Sequence, residues 1–313
     1  MLQTDVVKRD SANSLPSYAV IFRTHFWDDF AQRQLERLTA RVKRGRVYVL
    51  VDETHGHVPG IDYDHVVRMT EQDVLDMGLA RAGFGNLLWY NGDYPLYYFA
   101  KECPGYQYYL QVEYDAVLNT DIDELMRRVA ADGVHFVATD NLGQASEWVW
   151  LSSCLDYYRP EEVRNKLICI SIFSGEALAV LAKRRVAQSE LYDADADMEW
   201  PMCEGFLPSE MERTGLPCAD LSQYGSIDAL KWWPPNLETE LPEFASQSFV
   251  HPVLDRERYV GSVMKYAGGL GGFLNPNSVL HQKLRKLPLN LYTRYTLSGL
   301  WKKSVKKLGL AAS

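Results

Sequence analysis

Two carboxylates one residue apart, Glu113 and Asp115, close the stretch Tyr106-Gln-Tyr-Tyr-Leu-Gln-Val-Glu-Tyr-Asp. Carboxylate oxygens are the ligands that Mg²⁺ and Mn²⁺ prefer, and a cation held this way also binds phosphate oxygens. A third candidate ligand, His251, stands in Ser248-Phe-Val-His-Pro-Val, more than a hundred residues further on. A neutral imidazole completes a carboxylate site for Mn²⁺ or a similar ion, although a histidine before Pro252 also suits a hydrogen-bonded turn. His55 and His57, in Glu-Thr-His-Gly-His, read as part of a solvated loop.

The elements that must position these groups follow from pattern. Aromatic and β-branched residues over 106–115 favour a strand, and a helix signal follows at Asp121-Ile-Asp-Glu-Leu-Met-Arg-Arg-Val, so the acidic pair sits in a strand-to-helix connection. Strands are also expected at 17–22, 46–51, 133–138 and 166–173, with helices at 27–42, 71–81, 94–102 and from Ser174, a good N-cap. Alternating strands and helices imply an α/β fold with a mostly parallel central sheet flanked by helices. Ligands bind such open sheets beyond the carboxyl ends of the strands. Those ends carry Arg23 and Thr24, Asp52, and the acidic pair itself. Arg23 and Thr24 are placed to meet a base or diphosphate and Asp52 to accept hydrogen bonds from a nucleoside; a turn or surface salt bridge is the alternative for each.

Composition narrows the class. The 313 residues are 47% hydrophobic, enough to bury a full core, and no apolar run reaches the roughly 18 to 20 residues of a membrane span. The charged N-terminal decapeptide does not resemble a signal peptide, so a cytoplasmic protein is expected. The five cysteines, Cys103, Cys154, Cys169, Cys203 and Cys218, contain no CxxC pair and are expected to be reduced and buried. Beyond Arg258 there are nine cations and no Asp or Glu, so the net charge of −8 leaves residues 1–258 with −17. An acidic body argues against nucleic-acid binding, whereas the basic tail, with Ser298-Gly-Leu-Trp-Lys-Lys-Ser-Val-Lys-Lys-Leu, fits either the surface of an anionic membrane or the acidic body. The glycine-rich Tyr266-Ala-Gly-Gly-Leu-Gly-Gly-Phe reads as a linker, since it lacks the Lys-Ser/Thr ending of a P-loop.

Together, the strand ending Phe22-Arg23-Thr24, the strand ending at Asp52, the segment Trp89-Tyr-Asn-Gly-Asp-Tyr-Pro-Leu and the strand ending Glu113-Tyr-Asp resemble the GT-A glycosyltransferases. They are particularly similar to microbial families that carry Asp-Tyr-Pro upstream of Glu-Tyr-Asp. The resemblance implies a catalytic domain over 1–258, with a donor half at 17–140, an acceptor half at 141–258 and a basic extension at 259–313. It implies metal ligation by Glu113, Asp115 and His251, with Mn²⁺ or Mg²⁺ against the diphosphate of a nucleotide-sugar, most readily a UDP-sugar. Arg23, Thr24, Asp52, Asp93, Glu113 and Tyr114 would contact the donor. Glu for the first acid departs from the commoner Asp-x-Asp, which makes Asp115 the firmer ligand.

Glu204-Gly-Phe-Leu-Pro resembles a segment of inverting branching transferases in which the Glu deprotonates the acceptor hydroxyl. That makes Glu204 the candidate base, with Glu210 and Asp140 in reserve. Glu204 equally suits the N-terminus of a helix, through the macrodipole. The acceptor would be a hydroxyl of a glycan or lipid-linked molecule, with peripheral membrane contact through the tail. The rival readings are a nucleotidyltransferase acting on sugar phosphates and a non-catalytic carbohydrate-binding or membrane-scaffold protein.

Overall fold

A computed structural model describes residues 15–82, 87–140, 147–266, 275–285 and 287 of the chain. The opening strand, helix and strand are β1 (Tyr18–Thr24), α1 (Asp29–Thr39) and β2 (Arg46–Asp52), with β1 and β2 paired in parallel. Asp28 caps α1 by accepting from the Phe30 and Ala31 amides, and the helix turns Phe30, Ala31, Leu35 and Leu38 inward. After β3 (Val66–Met69), the helix expected over 71–81 is shorter, α2 (Glu71–Leu75). A capping box of Thr70 and Asp73 starts it, and the chain then turns at Gly78, whose φ of 82° is open to glycine but strained for most residues.

α3 (Tyr94–Glu102) carries Pro95 in its first turn and leads to β4 (Tyr108–Glu113), β5 (Val117–Asn119) and α4 (Ile122–Ala131). Then come β6 (Phe136–Asp140), β7 (Lys166–Ser174), α5 (Gly175–Leu191), α6 (Cys203–Thr214) and β8 (Cys218–Asp220). Ser174 caps α5 as expected, accepting from the Ala177 amide. The remaining elements are β9 (Ser226–Leu230), β10 (Asn236–Leu237), β11 (Ser248–His251), β12 (Val253–Leu254), α7 (Arg256–Tyr266) and α8 (Val279–Leu284).

The main sheet has seven strands in the order β3-β2-β1-β4-β7-β6-β8. Every pairing in it is parallel except those of β7, which runs against both β4 and β6. The expected α/β fold with a mostly parallel, helix-flanked sheet is therefore present, with one reversed strand that the sequence pattern does not signal. Ala19, Ile21, Leu50, Tyr109, Phe136, Ala138 and Phe173 turn one face of the sheet into a core shared with α3, α5 and α6. The alternate residues Val20, Phe22, Val49, Val51, Leu110 and Val112 are buried as well, so both faces are covered. Each such side chain contributes about 1.5–3 kcal/mol when fully removed from water.

The chain divides into two compact units: Met1–Asp228 with Ser246–Phe249, and Ala229–Ala245 with Val250–Ser313. The first holds the seven-stranded sheet. The second holds the β10/β12 pair, α7 and α8. Among the described residues no helix is long and apolar enough to cross a membrane. The glycine-rich stretch after Tyr266 and the expected tail helix at 298–308 lie outside the described residues.

Candidate functional site

β1 and β4 are parallel neighbours, so their carboxyl ends emerge side by side, with Arg23 directly opposite Glu113. Arg23, Gln111 and Glu113 share one face of the sheet because side chains alternate along a strand. The Arg23 guanidinium, only 1% exposed, spends its fork on this neighbourhood. Its Nη2 donates to Glu113 Oε1 and to the Leu88 carbonyl, each at 2.8 Å, and its Nη1 to Gln111 Oε1 at 2.9 Å and to the Gly92 carbonyl. Gln111 in turn donates to the Ile168 carbonyl on β7 at 2.8 Å. This buried lattice fixes the Glu113 carboxylate at the sheet edge. Arg23 is thus engaged below the surface and does not stand open at the strand end, where the sequence reading places a donor contact.

Gly92 completes the lattice. A Cβ on it would come to 3.2 Å from Cys203 Sγ, 3.3 Å from Arg23 Nη1 and 3.3 Å from the Leu88 carbonyl, so the close approach favours the absence of a side chain. The Cys203 amide donates to the Tyr90 carbonyl at 3.0 Å and its thiol to the Trp89 carbonyl at 3.2 Å. These bonds dock the first turn of α6, which carries Glu204, against the same segment that Arg23 grips. Burial pushes the Cys203 thiol well above its ordinary range, with Asp93 and Glu204 adding to the rise and Arg23 opposing it. Glu204 is half-buried and stands in the first turn, where the helix dipole favours a negative charge.

At the end of β4 and just beyond it, Glu113 and Asp115 stand half-buried at the carboxyl edge of the sheet in the first unit. His251, the third candidate, is buried at the end of β11 and belongs to the second unit. Its Nδ1 lies 2.7 Å from the Lys231 carbonyl. A carbonyl only accepts, so in the neutral ring Nδ1 carries the proton and Nε2 keeps its lone pair, the form that ligates a metal. Two neighbouring carboxylates are groups that could hold Mn²⁺ or Mg²⁺.

The other sequence candidates are placed as follows. Tyr114 is half-buried and makes edge-on ring contacts with Phe26 at 4.9 Å and His25 at 5.7 Å. Thr24 is fully buried, its hydroxyl donating to the Phe26 carbonyl at 2.6 Å and so fixing the turn after β1. Asp52 accepts from the Thr54 amide at 2.9 Å, closing an Asx turn after β2. Asp93 is fully buried and pairs with Arg185, Oδ2 to Nε at 2.9 Å. Burial raises the Asp93 pKa, with the Arg185 charge acting against the rise. Arg185 itself packs over Phe206 and Trp200 at 4.1 and 4.4 Å. Trp200 is 2% exposed and its indole donates to Asn91 at 3.0 Å. Of the reserve acids, Glu210 is held by Arg184 and Arg213, and Asp140 by Lys166.

Sequence reasoning missed three aromatic groups at this edge. His25 and Phe26 reach Tyr114 only because β1 lies beside β4. Trp89 is 47% exposed, with Trp150 set edge-on to it at 5.3 Å, next to the carbonyl that anchors Cys203. Trp89 falls in the segment singled out for Asp93, and its size was the available signal.

No protein-family model matches the chain, and no curated protein sequence matches it. Among solved structures it is similar to a glycosyltransferase involved in glycosylation of the major capsid of PBCV-1, at 11% identity and a TM-score of 0.37, over 75% of this chain and 92% of that one. It is also similar to mouse xyloside xylosyltransferase 1, at 10% identity and 0.39, over 65% and 84%. A third likeness is to the bifunctional glycosyltransferase WbbM, at 13% identity and 0.40, over 71% of this chain and 40% of that one.

Proposed function

We propose that the chain is a metal-dependent glycosyltransferase of the GT-A type, moving a sugar from a nucleoside diphosphate donor to an acceptor hydroxyl. What supports this reading is the acidic pair Glu113 and Asp115 at the carboxyl end of β4, with the Glu113 carboxylate fixed by Arg23. Asp115 and His251 would hold the divalent ion, and Glu113, with Oε1 already bonded to Arg23, would share in the site from a fixed position. When bound, the ion supplies Lewis-acid charge to a diphosphate leaving group.

The chain's own groups divide the remaining tasks. Tyr114, with His25 and Phe26, offers an aromatic lip beside the acids for a base, most readily uracil. Thr24 and Asp52 shape the turns that line this edge. Glu204 is our choice for the group that takes the proton from the acceptor hydroxyl, which would make the reaction a single inverting displacement. The deeply paired Arg23 and Asp93 act as supports for the site. Arg23 thus holds Glu113 without touching the donor.

The test is hydrolysis of a panel of nucleotide-sugars with and without Mn²⁺. At least one donor is turned over in a Mn²⁺-dependent manner, and Asp115→Ala removes that dependence. Full metal-dependent turnover by Asp115→Ala would sink the reading. So would pyrophosphate release from a nucleoside triphosphate and sugar phosphate in place of nucleotide-sugar cleavage.

A further inference from the structure

A cavity of about 590 Å³ opens beside β6 and β7, lined among others by Asp140, Lys166, Arg164, Glu212, Leu216 and Cys218. Its size is that of a small-molecule site. β6 runs in the same direction as β4, and β7 lies between them in reverse. Asp140, the last residue of β6, and Lys166, the first of β7, therefore stand at the same edge of the sheet as Glu113. Two strand spacings separate β6 from β4, about 10 Å.

The charges of the cavity are matched internally. Lys166 pairs with Asp140, and Arg164 pairs with Glu212, its Nη2 donating to Oε1 at 2.8 Å. Two cations against two carboxylates leave no net charge to attract an anion or a cation. They do leave a wall of donors and acceptors, to which Asn165 adds an amide. Val163, Pro208, Phe136 and Leu216 supply apolar surface between them. Matched donors and acceptors alternating with apolar patches suit a molecule whose hydroxyls and C–H faces alternate in the same way.

We propose that this cavity is the binding site for a neutral oligosaccharide. A chain seated there would extend along the sheet edge toward Glu113 and Asp115, which would make it the acceptor segment. That last step rests on the glycosyltransferase reading, whereas the site itself does not.

The protein carries its own reporter. None of the five cysteines is in a disulfide, but only Cys218 is exposed, contrary to the expectation that all are buried; Cys103 is half-buried and Cys154, Cys169 and Cys203 are buried. Cys218 lines the cavity, its thiol donating to the Leu216 carbonyl at 3.3 Å. Alkylation of Cys218 by N-ethylmaleimide, followed by peptide mass spectrometry, is measured with maltotriose, laminaritriose, chitotriose, mannotriose and inorganic phosphate. At least one trisaccharide slows Cys218 labelling, about tenfold when its concentration is ten times Kd, while Cys103 labelling is unchanged. Leu216→Trp, which fills the cavity, loses the protection without altering Cys103 labelling. No protection by any trisaccharide, or protection by phosphate alone, overturns the proposal. Donor hydrolysis in the same preparation separates the two readings: hydrolysis without protection rejects the cavity alone, and protection without hydrolysis rejects the transferase.

Discussion

Removing the Arg23 fork without removing its bulk is the sharpest probe of the site. Arg23→Met deletes donors to the Leu88 and Gly92 carbonyls, to Gln111 and to Glu113 in one step. Breaking a buried ion pair costs about 3–5 kcal/mol, and each carbonyl left dry adds about 1–3 kcal/mol. Glu113 is 27% exposed and is partly solvated by water, so its share belongs at the low end. A total of about 5 kcal/mol is expected, which lowers Tm by about 10–20 °C in a unit of this size. Arg23→Lys keeps the charge but has no planar fork, and a single ammonium does not span Glu113, Gln111 and two carbonyls. It costs about half as much and leaves the protein folded. In that variant the Glu113 carboxylate is no longer held in place, and loss of such an outer support weakens metal binding about 10–100-fold. Calorimetric titration with Mn²⁺ and thermal unfolding read the two effects separately. Mn²⁺ affinity within twofold of wild type in folded Arg23→Lys would refute the supporting role. Loss of UDP binding with Mn²⁺ affinity intact would restore Arg23 as a direct donor contact.

Two further outcomes follow from groups away from the proposed metal ligands. Arg185→Met strands the buried Asp93 charge and destabilises by about 3–5 kcal/mol in urea unfolding, and adding Asp93→Asn recovers part of the loss, which identifies the pair as the cause. The hydrogen bond from the Arg159 guanidinium, with the Arg159 amide and the Arg213 charge, holds the Glu162 carboxyl down at about 2 against its ordinary 4.5. A depressed carboxyl stabilises the fold fully above its unfolded value and loses that contribution as pH falls from about 4.5 to about 2, so Glu162→Gln makes the acid loss of stability shallower in that window.

What the sequence disclosed was local chemistry and period. The strand before Glu113, the Ser174 cap and the helix with Pro95 in its first turn all follow from residue type and spacing. The acidic pair Glu113 and Asp115, one residue apart, falls at the end of β4 as the strand pattern implies. Burial was not legible in the same way. Arg23 and Asp93 are charged residues in segments that looked open, and their partners, Glu113 and Arg185, are about ninety residues away in sequence. Pairing them requires knowing that β1 lies against β4 and that α5 passes behind α3. The direction of β7 was hidden for a related reason: an apolar run such as Lys166–Ser174 carries no mark of polarity, and only its neighbours set which way it runs. The shortened α2 reflects Gly78, whose left-handed backbone ends a pattern that periodicity would continue.

The reversal of β7 has a consequence for how specificity can change. In an all-parallel arrangement the chain leaves the ligand-facing margin after each strand and must cross to the opposite margin before the next begins. Here Asp140, the last residue of β6, and Lys166, the first of β7, pair directly with each other, so both ends of the connection lie at that margin. Insertions, deletions or new side chains there can remodel the rim of the crevice while the ladder of hydrogen bonds below stays as it is. A change in the length of this connection therefore leaves the register of β6 and β7 undisturbed.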